Sequence, residues 1–269
     1  MKMQSFCRIV SLLLLLSISC MSRAGEPSGK DYAQFLSHVD EQTVIVTGSN
    51  RGLGLGWVEH YLKQGASVIA TCRTPAEAKA LHELQARYGS HLLIEQLDVT
   101  DEASLARVGT LLAKHGVTLD VAISNAGVTV TEPFGEWTRQ AFETNIRVNT
   151  IGTALFAQMV APQLEDGARL VNITSAVGSI SRAKRDNPLD AYAVSKAGVH
   201  MLTRRLAVKL QGRGIVVVAF TPGRVLTDMN PNGTISVEES IGLMSGSLAN
   251  MTMAHSGKAY FNDGRELPW

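Results

Sequence analysis

Short apolar runs alternate along most of the chain with stretches in which apolar residues recur every three or four positions. The apolar runs predict buried strands at residues 43–46, 67–72, 91–96, 119–124, 169–174, 215–218 and about 258–261. The stretches between them have the periodicity of amphipathic helices, at about residues 53–63, 75–87, 105–112, 139–159, 191–210 and 237–253.

Strands that are apolar throughout and separated by helices are typical of parallel sheets covered on both faces. The pattern therefore predicts an α/β fold over residues 42–269: a single-domain, doubly wound parallel sheet of Rossmann type. The full chain has 269 residues, of which 45% are hydrophobic, and this is enough to bury a substantial core. In such a fold the ligand crevice lies at the carboxyl ends of the strands.

Charge and composition exclude several classes of function. The formal net charge is +1, from 25 basic and 24 acidic residues, so no nucleic-acid partner is expected. The seven histidines are scattered without zinc-ligand spacing, and no metal site is predicted. Of three cysteines only Cys72 falls in the predicted domain, which excludes a disulfide framework there.

The first 24 residues have the layout of a secretory signal peptide. Lys2 and Arg8 precede a short apolar run at residues 9–18, and a small residue, Ala24, ends the segment. This layout predicts an exported or periplasmic protein, with residues 25–41 as an N-terminal extension. Membrane contact is expected only through this segment, if it stays uncleaved or is lipidated at Cys20. The alternative is that Met21 is the true start and the protein is cytoplasmic.

A glycine-rich turn follows the first predicted strand and opens the first helix. Glycines allow a tight turn and let the helix N-terminus approach a pyrophosphate, so the turn predicts a dinucleotide site. The residues expected to bind it are Gly48, Asn50, Arg51, Gly52, Leu53 and Gly54.

The end of the second predicted strand indicates which dinucleotide binds. NAD sites usually carry an acidic residue there for the ribose 2′-hydroxyl, whereas this strand ends at Arg73. The guanidinium groups of Arg73 and Arg51 are suited to a 2′-phosphate, which favours NADP(H). The alternative is that both arginines are ordinary surface charges.

Several motifs occur in the order typical of one family. The glycine turn has the spacing Thr-Gly-x-x-x-Gly-x-Gly, and Tyr192-x-x-x-Lys196 lies in a predicted helix. The chain thereby resembles the short-chain dehydrogenase/reductase family over residues 42–269. Its ending, residues 263–269, is similar to the C-factor and carbonyl-reductase-like branch. The resemblance implies further cofactor contacts from Asp98, Val99, Asn125, Ala126, Gly127, Pro222, Gly223, Val225 and Thr227. Asp98 has an alternative interpretation as a turn cap.

Tyr192 and Lys196 also carry the expected chemistry. Four residues apart on a helix, they share one face, and a neighbouring ammonium is expected to lower the pKa of the phenol toward general acid/base strength. A hydroxyl at the end of a strand, Ser175, is expected to bind the substrate carbonyl, with Thr174 and Ser179 as competitors for that role. The resemblance implies that Tyr192 and Lys196 also contact the cofactor, with Lys196 holding the nicotinamide ribose, and that Asn149 supports a proton path.

These residues predict an NADPH-dependent oxidoreductase that reduces an aldehyde or ketone to an alcohol, with the reverse oxidation left open. The alternative is an NADP(H)-binding regulatory or signalling protein with little turnover. Resemblance also implies a homodimer or homotetramer through the helices that carry Asn149 and Tyr192. The sequence departs from the family pattern in a long interval between Ser175 and Tyr192, which contains Arg182, Lys184 and Arg185. A short segment after residue 228 predicts an open pocket.

Overall fold

One eight-stranded sheet forms the centre of the protein, which we describe from a computed structural model covering residues 29–38, 42–183 and 188–269. The strands lie in the order β3-β2-β1-β4-β5-β6-β7-β8, and every neighbouring pair is parallel except the last, β7 with β8. Their bounds are β1 Thr43–Thr47, β2 Ser67–Cys72, β3 Leu92–Gln96, β4 Leu119–Ser124, β5 Leu164–Ile173, β6 Val216–Thr221, β7 Lys258–Phe261 and β8 Glu266–Leu267.

Helices cover both faces of this sheet, so the predicted doubly wound fold is confirmed. Consecutive strand residues alternate between the two faces: Val44 and Val46 pack on one face, and Ile45 packs on the other. The helices are α1 Gly29–Phe35, α2 Gly52–Lys63, α3 Lys79–Tyr88, α4 Glu102–Lys114, α5 Arg139–Asn145, α6 Thr153–Val160, α7 Asp190–Leu210 and α8 Val237–Ala249. Helices α2, α3 and α8 bury apolar residues on the first face, and α1, α4, α6 and α7 on the second.

The strand order places the ligand crevice. Strands β1 and β4 are neighbours, although the chain runs outward from β1 through β2 and β3 before it returns to β4. At such a switch point the loops after the two strands diverge to opposite faces and leave a crevice at their carboxyl ends. The loops after β1 and β4 carry the glycine turn and Asn125, respectively.

Three predicted helices differ from those observed. The helix expected at residues 139–159 is interrupted between α5 and α6 by a π-helical segment, Ile146–Gly152, which contains Asn149. The helix expected from residue 75 begins as a separate 3₁₀ turn, Pro75–Glu77, and α3 starts only at Lys79. The last helix ends at Ala249, earlier than expected. These differences could not be predicted from apolar periodicity, because the apolar spacing continues through all three positions.

The N-terminal extension contains a helix that packs on the domain. Tyr32 and Phe35 of α1 are 0% and 2% exposed, and they join the core under α4. The Tyr32 hydroxyl donates a hydrogen bond to the buried Glu95 carboxylate at 2.8 Å, and its ring stacks on His115. Two large aromatic residues in a short helix give too little periodicity to predict it. Part of the 25–41 extension therefore belongs to the folded unit.

Two sequence predictions fall outside the described residues: the signal-like segment at residues 1–24, and the contribution of Lys184 and Arg185 to the substrate rim. Within residues 29–38, 42–183 and 188–269, no helix combines the length and the apolar character needed to cross a membrane.

Candidate active site

The glycine turn after β1 has room for backbone only at Gly48 and Gly54. Gly48 and Gly52 have φ values of +64° and +55°, in the left-handed region that favours glycine. A Cβ on Gly54 would lie 2.2 Å from the Gly48 carbonyl oxygen, and one on Gly48 would lie 2.9 Å from the Ala126 Cα. A side chain is therefore excluded at Gly48 and at Gly54, where the turn passes into α2.

The side chain of Asn125, which follows β4, fixes the backbone of this turn. Its Nδ2 donates to the main-chain oxygens of Thr47, at 2.9 Å, and of Gly48, at 3.1 Å. In return, the Thr47 hydroxyl accepts hydrogen bonds from the main-chain N–H groups of Asn125 and Ala126, both at 3.0 Å. These four hydrogen bonds hold the loops after β1 and β4 together at the switch point.

The two arginines expected at the 2′-phosphate are both exposed, one beside the turn and one at the end of β2. Arg73 directly follows β2. Arg51 forms an ion pair with Asp228, whose carboxylate lies 3.0 Å away, and both side chains are about three-quarters exposed. Asp228 lies 177 positions from Arg51, and sequence reasoning missed it.

The other residues expected at the cofactor lie along the same edge of the sheet. Asp98 caps a turn, because its Oδ1 accepts hydrogen bonds from the main-chain N–H and the hydroxyl of Thr100, each at 2.8 Å. Val99 packs against Gly152, where a Cβ would lie 2.8 Å from the Val99 side chain. The turn-cap interpretation of Asp98 is thus confirmed, and one carboxylate oxygen of that residue is used for it.

The segment after β6 folds back over the glycine turn. Its Gly223 has a φ of +85°, and Val225 is buried and pairs with Ile235 in an isolated bridge. Thr227 comes closest to the turn, since a Cβ on Gly52 would lie 3.6 Å from its methyl group. Pro222 accepts a hydrogen bond from the Ser240 hydroxyl at 2.7 Å. The expected residues of this segment therefore border the crevice.

Asn149 is fully buried and makes three hydrogen bonds. Its Nδ2 donates to the Val128 carbonyl and to the Ser195 hydroxyl, and its Oδ1 accepts from the Val128 N–H, all at 2.9 Å. The side chain thus ties the loop after β4 to helix α7. Ser195 is a second residue that the sequence analysis missed, because a serine inside a helix carries no signal of its partner.

Lys196 lies behind Tyr192 and reaches the end of β5. It is 4% exposed, and its Nζ donates a hydrogen bond to the Ile173 carbonyl oxygen at 2.9 Å. Burial lowers the pKa of its ammonium to about 8. The ammonium lies 5.6 Å from the centre of the Tyr192 ring, so the two residues share a face of α7 as the spacing predicts.

The pKa of Tyr192 moves in the direction opposite to the sequence prediction. Burial raises the pKa of the phenol above its ordinary value, and hydrogen bonds with the Thr129 and Ser175 hydroxyls oppose the shift only in part. Desolvation penalises the charged phenolate, and the sequence prediction, which considered only the neighbouring ammonium, left this penalty out. Tyr192 is therefore held as a neutral phenol. Thr129 is a third residue missed from the sequence.

The structure distinguishes among the three candidate hydroxyls near the end of β5. Ser175 caps a short 3₁₀ helix, Ala176–Gly178, and reaches Tyr192. Thr174 is 2% exposed, and Ser179 donates its hydroxyl hydrogen bond to the Pro268 main-chain oxygen. Among these competitors, Ser175 is the one whose hydroxyl meets the phenol.

A model of the short chain dehydrogenase family matches residues 42–236, more than half of the chain. The chain belongs to that family. It is 34% identical over 251 residues to the short chain dehydrogenase gsfK of Penicillium aethiopicum, covering 84% of this chain and 99% of the relative. It is also 30% identical over 203 residues to retinol dehydrogenase 12 of Mus musculus, covering 71% of this chain and 64% of that protein.

Solved structures of carbonyl reductases share the fold of this short chain dehydrogenase. NADPH-bound carbonyl reductase from chicken fatty liver is 34% identical, with a TM-score of 0.78 over 85% of this chain and 99% of that one. The carbonyl reductase Sniffer of Drosophila melanogaster is 25% identical, with a TM-score of 0.79 over 85% and 100% of the two chains. The resemblance drawn from the motifs is confirmed.

Across residues 29–38, 42–183 and 188–269, no group of three or more His, Cys, Asp or Glu side chains is placed to hold an ion. The polar groups at the crevice include the hydroxyls around Tyr192, the amides of Asn125 and Asn149, the Lys196 ammonium and the Arg51 guanidinium.

Proposed function

We propose that this protein is an NADPH-dependent reductase that converts an aldehyde or ketone to an alcohol, with Tyr192 as the proton donor. The observation that carries the proposal is the surroundings of Tyr192. Its hydroxyl interacts with those of Ser175 and Thr129, and its ring centre lies 5.6 Å from the buried Lys196 ammonium. This cluster lies at the carboxyl edge of the sheet, the edge that also carries the glycine turn.

The residues around the crevice fit NADPH. The turn from Gly48 to Gly54 has no room for a side chain at either of these two glycines, and it leads into the N-terminus of α2, whose backbone N–H groups suit a pyrophosphate. Arg51 and Arg73 provide the charge for a 2′-phosphate, and the end of β2 has no acidic residue that would repel it. The NADPH-bound chicken carbonyl reductase, 34% identical over most of both chains, supports the same cofactor here.

Each polar group at the site has a distinct part in the proposed reaction. NADPH, when bound, supplies the hydride. Ser175 donates a hydrogen bond to the substrate carbonyl oxygen, and Tyr192 transfers its phenolic proton to that oxygen as negative charge develops on it. Lys196 stabilises the resulting phenolate and holds the cofactor ribose. Asn149 fixes α7 relative to the loop after β4 and supports the path by which Tyr192 regains its proton.

The raised pKa of Tyr192 favours the reductive direction. Reduction needs a protonated phenol at the start of each turnover, and burial maintains that form at neutral pH. Oxidation of an alcohol would need the phenolate, which becomes accessible only as pH rises. We therefore propose that reduction dominates at neutral pH and that the reverse reaction gains with pH.

Purified protein assayed for NADPH oxidation against a panel of aldehydes, ketones and quinones tests the function. The same preparation is titrated with NADPH and NADH by fluorescence, so that binding and turnover are measured separately. Turnover of at least one carbonyl with NADPH, and weak binding of NADH, supports the reductase. Tight NADPH binding without turnover on any carbonyl would favour the alternative, a regulatory NADP(H)-binding protein.

The proposal includes self-association through α7 and the helix that carries Asn149. Val194, Met201 and Val208 of α7 are seven residues apart and each at least half exposed, so they form one apolar stripe, and Ile151 is 48% exposed. We expect a homodimer or homotetramer in light scattering. Met201→Glu should shift it toward monomer, whereas Leu243→Glu, at an exposed apolar residue of α8 outside the stripe, should not.

Export is the proposed location of the protein. Cleavage after Ala24 would leave helix α1, which starts at Gly29, intact on the domain. N-terminal sequencing of the protein purified from its native source should yield Gly25; a start at Met21 would instead support the cytoplasmic alternative.

A further inference from the structure

We propose that residues 267–269 are a positioning element for the catalytic groups, and that the Trp269 side chain is essential to it. We call these three residues the 267–269 segment. The proposal rests on the proposed function, because it assigns to this segment the task of holding Ser175 and Lys196 in their places. It also gives a role to the sequence ending noted above, which neither cofactor binding nor proton transfer uses.

The 267–269 segment is bound to the stretch of chain that follows Ser175. The Ser181 N–H donates a hydrogen bond to the main-chain oxygen of Trp269 at 2.9 Å, and the Ser179 hydroxyl donates one to the main-chain oxygen of Pro268. Ser179 and Leu267 are each 1% exposed, so the Ser179 contact is made at a buried side chain, whereas Ser181 and Trp269 meet at the surface. Residues 179–181 are therefore attached to the segment at two successive points.

The stretch after Ser175 is in turn packed directly on the backbone of α7 at Lys196. A Cβ on Gly178 would lie 2.7 Å from the Lys196 carbonyl carbon and 2.9 Å from the Ala197 nitrogen. With contacts this close, displacing Gly178 moves either Ser175, three residues earlier, or the helix that carries Lys196. A shift of the 267–269 segment is therefore expected to displace Ser175 or Lys196.

Trp269 also contacts α7 on its own account. Its ring lies 5.1 Å from the ring of His200, which is buried one helical turn beyond Lys196. Burial, followed by the charge of Lys196, lowers the pKa of His200 to about 4, so its ring is neutral at pH 7. The neutral His200 ring gives Trp269 a packing contact on α7 without placing a second positive charge near the Lys196 ammonium.

The consequence is a separation between catalysis and cofactor binding. Ser175 and Lys196 depend on the 267–269 segment, whereas the glycine turn is held by Thr47 and Asn125 at the switch point, whose nearer strand, β4, lies four positions from β8 in the sheet. Loosening the segment should therefore reduce kcat and raise the KM for the carbonyl far more than it weakens NADPH binding, to which Lys196 contributes only the ribose contact. A displacement of about 1 Å in a catalytic group is sufficient to cost tenfold or more in rate.

The test uses Trp269→Ala, Ser179→Ala and Trp269→Phe in the full chain, with Met253→Ala as the control. Met253 is 41% exposed, as Trp269 is 42%, and lies in the 3₁₀ turn Met253–His255 that precedes β7. We expect kcat to fall about tenfold or more in Trp269→Ala and less in Ser179→Ala. The Trp269→Phe variant should recover at least half of the wild-type rate, and Met253→Ala should match the wild type. NADPH affinity should fall much less than kcat in every variant.

Hydrogen exchange provides a readout that does not need turnover. The amides of residues 176–182 should exchange faster in Trp269→Ala than in the wild type or Met253→Ala. Unchanged kcat and exchange in folded Trp269→Ala, or equal losses of NADPH affinity and kcat, would overturn the positioning role. Faster exchange in a protein whose wild type reduces no carbonyl would instead contradict the proposed function and leave the mechanical link intact.

Discussion

The Lys196 ammonium lies 2.9 Å from the Ile173 carbonyl oxygen, at the last residue of β5, and this hydrogen bond is made in an almost fully buried position. One neutral acceptor does not offset the loss of water around a charge, and burial lowers the pKa of Lys196 to about 8. The proposed catalytic lysine is therefore held at a cost to stability.

That cost predicts a pH dependence of stability. Below pH 8 the ammonium is charged in both the folded and the unfolded states, and the full penalty applies, on the order of 3 kcal/mol. Between pH 8 and about pH 10.5 the unfolded state binds more protons, so this group makes stability rise with pH. In denaturant unfolding, the free energy of wild type minus that of Lys196→Met should increase over this window. A constant difference between pH 7.5 and 10 would show that Lys196 is not desolvated.

The contact between Gly54 and Gly48 predicts a loss of cofactor binding without a loss of fold. Gly54→Ala places a methyl group where the Gly48 oxygen lies, and forces the turn open. We expect NADPH affinity to fall about 10- to 100-fold, the equivalent of the 1–3 kcal/mol typical of overpacking. The control is Gly246→Ala in α8, where a Cβ meets nothing within 4 Å. It should bind NADPH normally and raise stability by about 0.5–1 kcal/mol. Equal NADPH affinities of the two variants would rule out the glycine turn from Gly48 to Gly54 as the cofactor site.

The ion pair between Arg51 and Asp228 predicts that Asp228 weakens the binding of phosphorylated cofactor. A 2′-phosphate at Arg51 competes with a carboxylate already there, 3.0 Å away. Because the pair is exposed and such pairs contribute at most about 1 kcal/mol, Asp228→Asn should tighten NADPH binding about two- to fivefold at low salt. NADH, which has no 2′-phosphate, should bind as before. The gain should vanish in an Arg51→Met background; if it persists there, Asp228 does not act through Arg51.

Much of the site could be predicted from the sequence because its parts depend on local spacing. The turn from Gly48 to Gly54 follows a strand and opens a helix, and Tyr192 and Lys196 lie one helical turn apart. Local spacing does not give the depth of burial, which is set by elements distant in the chain. That depth reverses the expected pKa shift of Tyr192. Similarly, the partners of Arg51 and Asn149 come from distant segments, and no pattern around either residue indicates them.

The proton donated by Tyr192 is the centre of the proposed mechanism, and a single-turnover experiment tests it most directly. Wild-type protein and Tyr192→Phe are each saturated with NADPH, mixed with a carbonyl that the wild type reduces, and followed by the loss of NADPH absorbance. The account predicts equal NADPH binding and a hydride-transfer rate lower by at least about a hundredfold in Tyr192→Phe. A rate within threefold of the wild type, at equal cofactor saturation, would contradict it.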